Sequence, residues 1–119
     1  MKQEDKELLL KDLCARLPYG VKVESVFINP DTKEHKSCGI EVFNATSLLM
    51  IRDGLGEFKP YLFPLSSMTA EQKTSHNFLK HSAYANPIKL IDWYIKNHFD
   101  YRGLIPKGLA NNATGLNIY

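Results

Sequence analysis

The chain has 119 residues, 44% of them hydrophobic and 24% charged, with a formal net charge of +2. That length suits one domain able to bury roughly two-thirds of its unfolded surface, and those proportions exclude a wholly disordered chain or a fibrous repeat. A charge so close to balance lacks the basic footprint that predicts nucleic-acid binding.

The spacing of Leu9, Leu10, Leu13, Cys14 and Leu17 predicts a helix over Gln3 to Leu17, with Lys, Asp and Glu on its other face. Pro18 and Gly20 end it, because proline cannot continue a helix and glycine takes positive φ freely. Around Leu8, Leu9 and Leu10 the first residues are mostly charged, so no signal-type apolar stretch is read there. Nor does any segment reach the roughly 18 apolar residues that span a membrane, and a cytoplasmic protein without a membrane partner is expected.

Val21 to Ile28 predicts a strand, with Val21, Val23 and Phe27 on one face and Lys22, Glu24, Val26 and Ile28 on the other. Asn29-Pro30-Asp31-Thr32-Lys33 is a turn, and Ser37 to Phe43 returns as a second strand with Cys38, Ile40 and Val42 opposed to Glu41. Cys14 and Cys38 both lie among apolar neighbours and are expected as buried free thiols. Leu48-Leu49-Met50-Ile51 is apolar on both faces and predicts a central strand, followed by a turn at Asp53-Gly54-Leu55-Gly56. Glu57 to Leu65 predicts a fourth strand, which Pro60 and Pro64 restrict to an edge or a bulge.

Thr69 and Gln72 have the spacing of a capping box and predict a helix from Ala70 to about Lys80. Asn86 and Pro87 open another helix whose stripe of Ile88, Ile91, Tyr94 and Ile95, flanked by Leu90 and Trp93, is expected to dock on the sheet. Turns at Gly103 and Gly108 follow. The expected organisation is one α+β domain over 1–110, with about four mostly antiparallel strands packed by an N-terminal helix and two C-terminal helices. Residues 111–119 are expected as a loosely held tail.

Several motifs carry a resemblance. They are Asp12-Leu13-Cys14-Ala15-Arg16-Leu17-Pro18-Tyr19-Gly20, Lys59-Pro60-Tyr61-Leu62, Pro64-Leu65-Ser66-Ser67-Met68-Thr69, Asp92-Trp93, His98 to Ile105, and Lys107-Gly108-Leu109-Ala110. Together the chain resembles a family of short uncharacterised proteins abundant in gut Bacteroidetes genomes, often in phage or mobile-element surroundings. It departs from that pattern at Phe63, where a basic residue is expected, in a shorter Gln72–Asn86 region and in its tail. The resemblance implies a setting and carries over no catalytic residue.

The chemistry-bearing residues form no compact motif. His35 and Cys38 lack a second ligand pair of zinc spacing, and His76 and His81, five residues apart, leave one helical face, so no metal and no cofactor are expected. Cys14 or Cys38 with His98 and Asp100 is a conceivable nucleophile, base and orienter, a combination that chance supplies in any chain of this size. With no Gly-x-Ser-x-Gly elbow or phosphate loop, an enzyme is not expected.

The loop from Phe99 to Gly108 offers Tyr101, Arg102 and Lys107 as candidate binding residues. A ring to stack on a base and two cations for phosphates is the single-strand binder's combination. The alternative is that Phe99 and Tyr101 pack the loop while Arg102 pairs with Asp100 or a helix C-terminus. A partner strand on the proline-interrupted edge, anchored by Phe58, Tyr61 and Phe63, is a third reading, opposed by one in which those aromatics are core. The expected function is a non-enzymatic accessory or protein-interaction module of a phage-like or mobile element. The alternative is a small nucleic-acid-binding module using the 99–108 loop.

Overall fold

The computed structural model describes residues 2–81 and 86–119; the interval 82–85, within the Gln72–Asn86 region noted above, lies outside the described residues. Among these residues, four α-helices and a four-stranded sheet of order β2-β1-β3-β4 make an α+β fold.

Helix α1 runs Gln3–Arg16 and packs Leu9 and Leu13 into a core with Val21, Val23, Phe43, Phe58 and Leu62. Its buried stripe is Leu9, Asp12, Leu13 and Arg16, turned by about one residue's arc from the leucine stripe read in the sequence. Leu10 and Cys14 are therefore exposed. The charged pair sits inward with part of its polar groups matched there: Arg16 Nε donates to Asp12 Oδ2 at 2.8 Å and Arg16 Nη2 to the Phe99 carbonyl at 2.6 Å, while among the described residues Asp12 Oδ1 and Arg16 Nη1 are buried without a hydrogen bond.

Strands β1 (Lys22–Ile28) and β2 (His35–Val42) form an antiparallel hairpin. Its turn is held by Asn29 Oδ1, which accepts from the amides of Asp31 and Thr32 at 2.9 and 3.2 Å. All eight residues of β2 are exposed, so Cys38, Ile40 and Val42 do not point into a core and the thiol is not buried. β2 is the terminal strand of the sheet with β1 as its strand neighbour, and a bulge at Ser25/Val26 interrupts their register.

Leu48 to Ile51 is helical, where the sequence pattern reads a strand: α2 spans Ala45–Arg52. Asn44 Oδ1 accepts from the amides of Thr46 and Ser47, and Ser47 Oγ accepts from the Asn44 amide, a reciprocal cap that starts the helix. Four apolar residues in a row fit either period, so the cap decides.

Strand β3 (Gly56–Leu62) pairs antiparallel with β1 and, at Tyr61 and Leu62, parallel with β4 (Asn111–Asn112). β3 is therefore an inner strand with an unbroken register to β1, neither at the edge nor across a bulge as the prolines suggest: Pro60 lies opposite Val23 just before the short β4 pairing begins at Tyr61, and Pro64 falls after the strand. Phe58 and Tyr61 are buried and Phe63 is half-buried, so none is the exposed anchor that a strand-docking role requires.

Helix α3 (Ala70–His81) starts with Thr69 and Gln72 capping each other, the amide of Thr69 donating to Gln72 Oε1 at 2.8 Å and that of Gln72 to Thr69 Oγ1 at 3.2 Å. Helix α4 (Pro87–Lys96) starts at Asn86, whose side chain accepts from the Ile88 amide at 2.8 Å. α4 packs against α3 and α1 instead of the sheet, burying Tyr94 and Ile95 and leaving Ile88 and Ile91 outside.

The terminal segment is tied down. The Ala113 amide donates to the Leu62 carbonyl at 2.8 Å, and the Tyr119 hydroxyl donates to the Tyr61 carbonyl at 2.7 Å while accepting from the Lys22 amide at 2.8 Å. Lys22 Nζ donates to the Ile118 carbonyl, and the Tyr119 ring stacks on His98 with centroids 3.7 Å apart. The sequence reads 111–119 as a loose tail because the partners that hold Tyr119 lie 58 and 97 residues away in the chain.

Candidate functional site

The Phe99–Gly108 loop is shaped by Asp100, whose carboxylate accepts from the amides of Leu104 and Ile105 at 2.8 and 2.9 Å. Gly103 follows Arg102 at φ 74°, a left-handed conformation that glycine takes without strain. The loop thereby returns Tyr101 and Arg102 to α1 and α4.

Tyr101 stacks on Tyr94 with centroids 5.5 Å apart and planes inclined by 10°. The guanidinium carbons of Arg102 and Arg16 sit 4.9 and 5.7 Å from its centroid. Arg102 Nε lies 3.2 Å from Asp12 Oδ1, and Arg102 keeps only 18% of its side chain exposed. The structure thus joins Tyr101 and Arg102 in one network with Asp12, Arg16 and Tyr94. Arg102 pairs with Asp12, not with Asp100 or a helix C-terminus. Lys107 is exposed and takes no part in the network. Burial, the largest influence, raises the Tyr101 phenol above its usual value.

His98 and Tyr119 form a second closed unit. Burial, followed by the charges of Arg16 and Lys22, pushes the His98 imidazole down to about 4. Burial also pushes the Tyr119 phenol up to about 12. His98 lies under Tyr119 and Asp100 caps the loop, so the base and orienter imagined from sequence are engaged elsewhere, while Cys14 and Cys38 are exposed free thiols. Among the described residues no three His, Cys, Asp or Glu side chains converge in a way that could hold a metal ion.

The α3–α4 hairpin is built differently. His76 Nε2 lies 2.6 Å from the Tyr94 hydroxyl, and its ring stacks on Trp93 at 5.8 Å. Trp93 stacks in turn on Phe99 at 5.4 Å. Burial, then Lys80 and His81, lowers the His76 pKa below its usual value, which favours the neutral ring in this aromatic row. Outside the row, Phe78 is 64% exposed, Ile88 70% and Ile91 40%. A shallow recess of about 490 Å³ between the helices is lined by Thr74, Ser75, Phe78, Leu79 and Trp93.

A larger groove of about 660 Å³ lies between α1 and the sheet, with Leu9, Leu13 and Phe58 in its lining. Lys6, Glu7, Glu24, Glu57 and Lys59 also line it and mix both signs of charge, so it selects neither. Among the described residues no helix is long and apolar enough to cross a membrane.

Phe78, Ile88 and Ile91 were not singled out as a site in the sequence. The available signal was the pair Phe78-Leu79 on a mostly polar helix, followed by more apolar residues in α4 than one docking stripe requires. No family model, curated protein or solved structure matches this chain. What fold and surface define is an α+β domain with an aromatic–arginine interior packed against α1 and a helical hairpin that leaves Phe78, Ile88 and Ile91 exposed.

Proposed function

We propose that this protein is a non-enzymatic protein-interaction module that docks its partner on the α3–α4 hairpin, serving as a cytoplasmic accessory protein of a phage-like or mobile element. The observation that carries the docking role is the exposure of Phe78 in the recess that Leu79 and Trp93 also line; Ile88 and Ile91, five and two residues before Trp93, are exposed on another face of α4. Adjoining exposed apolar side chains mark contact surfaces, and seating a residue such as Phe or Ile in a partner is worth about 1.5–3 kcal/mol. The mobile-element setting rests on the motif resemblance alone. The nucleic-acid reading of the 99–108 loop retains only Lys107, since the Tyr101 ring is stacked on Tyr94 and flanked by two guanidinium groups.

A photo-crosslinking residue placed at Phe78, and separately at Lys107, tests this in cells. Protein adducts from position 78 that disappear with Leu79→Ser, with few from position 107, are the expected result. Nuclease-sensitive adducts from position 107, or their dominance at position 78, would overturn it.

A further inference from the structure

We infer that the occupant of the α3–α4 face is an acidic amphipathic helix of a partner protein, its apolar stripe lying on Phe78, Leu79 and Trp93 and its carboxylates meeting Lys89 and Lys96. This rests on the docking role proposed above and adds the chemistry of the partner. Lys89 and Lys96 stand four residues before and three after Trp93, so the three side chains share one ridge of α4. Both lysines are exposed, and the recess opens at the foot of the ridge on the Trp93 side. Seven residues of helix separate them by about 10 Å, which calls for partner acids about two turns apart. Helices α3 and α4 together carry Lys73, Lys80, Lys89 and Lys96 against Glu71 and Asp92, so the surrounding field also favours an anion.

The two walls decide the partner's conformation. Both are helices, whose backbone groups bond internally, so the face offers no ladder to an extended strand and suits an amphipathic helix in a groove. A stacked nucleobase is less well served, because His76 and Phe99 already lie against the indole of Trp93, leaving Phe78 as the one open ring in the recess lining. A second copy would set lysine against lysine across the same ridge.

The test titrates the full chain with three synthetic helical peptides, read by the emission of Trp93, the chain's single tryptophan. One peptide carries a leucine stripe flanked by glutamates, one the same stripe flanked by lysines, and one the glutamates with serines in place of leucines. The leucine–glutamate peptide is expected to bind at least about tenfold more tightly than either other, and to weaken as salt screens the charges. Lys89→Glu with Lys96→Glu should reverse the preference between the two leucine peptides. The milder Lys89→Gln with Lys96→Gln should abolish it, and serves if the reversal variant folds poorly.

Equal binding of both leucine peptides, or a preference that the variants leave unchanged, overturns the acidic class while the docking role stands. Failure of both leucine peptides to bind overturns the docking role and the inference with it. The inference also falls if a single-stranded oligonucleotide binds and Lys89→Gln with Lys96→Gln removes that binding, or if sedimentation shows a dimer that Phe78→Ser dissolves.

Discussion

The Phe99–Gly108 loop and the α3–α4 hairpin hold similar ingredients, aromatic rings beside cations, and use them in opposite ways. In the loop the Tyr101 ring has Tyr94 on it and two guanidinium groups beside it, and Asp12 meets both arginines. In the hairpin the row from His76 through Trp93 to Phe99 is closed, but Phe78, Ile88 and Ile91 beyond it are exposed. The same residue types therefore stabilise the fold in one place and remain open to a partner in the other. Three-dimensional proximity to α1 separates the two: Asp12 and Arg16 reach the loop and leave the hairpin's outer face untouched.

The largest effect should come from breaking the loop's support. Asp12 and Arg16 have fully buried side chains, and removal of one partner leaves the other charge unmatched, a loss of about 3–5 kcal/mol. Arg16→Ala should show this as a lowered denaturant midpoint. Arg16→Met combined with Asp12→Leu should recover only part of it, because the replacements remove the buried pair but leave Arg102 without Asp12 and the Phe99 carbonyl without a donor. A single substitution costing less than about 1 kcal/mol would mean that the network is solvated and the loop freer than described.

A smaller, pH-dependent effect belongs to His98. Its pKa falls from 6.5 to about 4 on folding, so between these values the unfolded chain takes up a proton that the folded chain refuses. Stability is therefore fully present above about pH 6.5, declines as pH falls toward 4 and levels off below that. Since the ring keeps partial access to solvent, the expected loss is about 1–2 kcal/mol. His98→Asn suits its left-handed backbone, φ 61°, and should remove this contribution to the pH profile of chemical denaturation. An unaltered profile would show that the Tyr119 stack does not shield the ring.

Much of this fold is legible in the chain where a local signal has one meaning. Pro18 and Gly20 mark the end of α1, Asn29 holds the hairpin turn, and Thr69 with Gln72 and Asn86 with Pro87 open α3 and α4. Where one pattern serves two structures, reading fails. Leu48-Leu49-Met50-Ile51 suits a strand or a short helix until the Asn44–Ser47 cap is recognised. Asp12 and Arg16 read as a solvent face because their partners, the Phe99 carbonyl and Arg102, are more than 80 residues away in the chain. Tyr101 and Arg102 were visible as chemistry, but nothing local showed that they were already engaged. Phe78 and Leu79 read as an ordinary inward-facing pair on α3, and nothing local showed that Phe78 stays exposed.

The smallest effect on folding is expected at the hairpin, where Phe78→Ser should alter stability by no more than about 0.5 kcal/mol, as for an exposed site. A much larger loss would place Phe78 in the folded core and remove it from the docking surface.

The contrast between the two regions can be read most directly by hydroxyl-radical footprinting of the free protein, with side-chain oxidation quantified residue by residue. Aromatic rings react according to access, so Phe78 at 64% exposure should be oxidised heavily, whereas Tyr101, though the more reactive ring type, should be protected by Tyr94, Arg16 and Arg102. Strong labelling of Tyr101 with Phe78 protected would contradict the account, because the loop would then be the open surface and the hairpin the closed one.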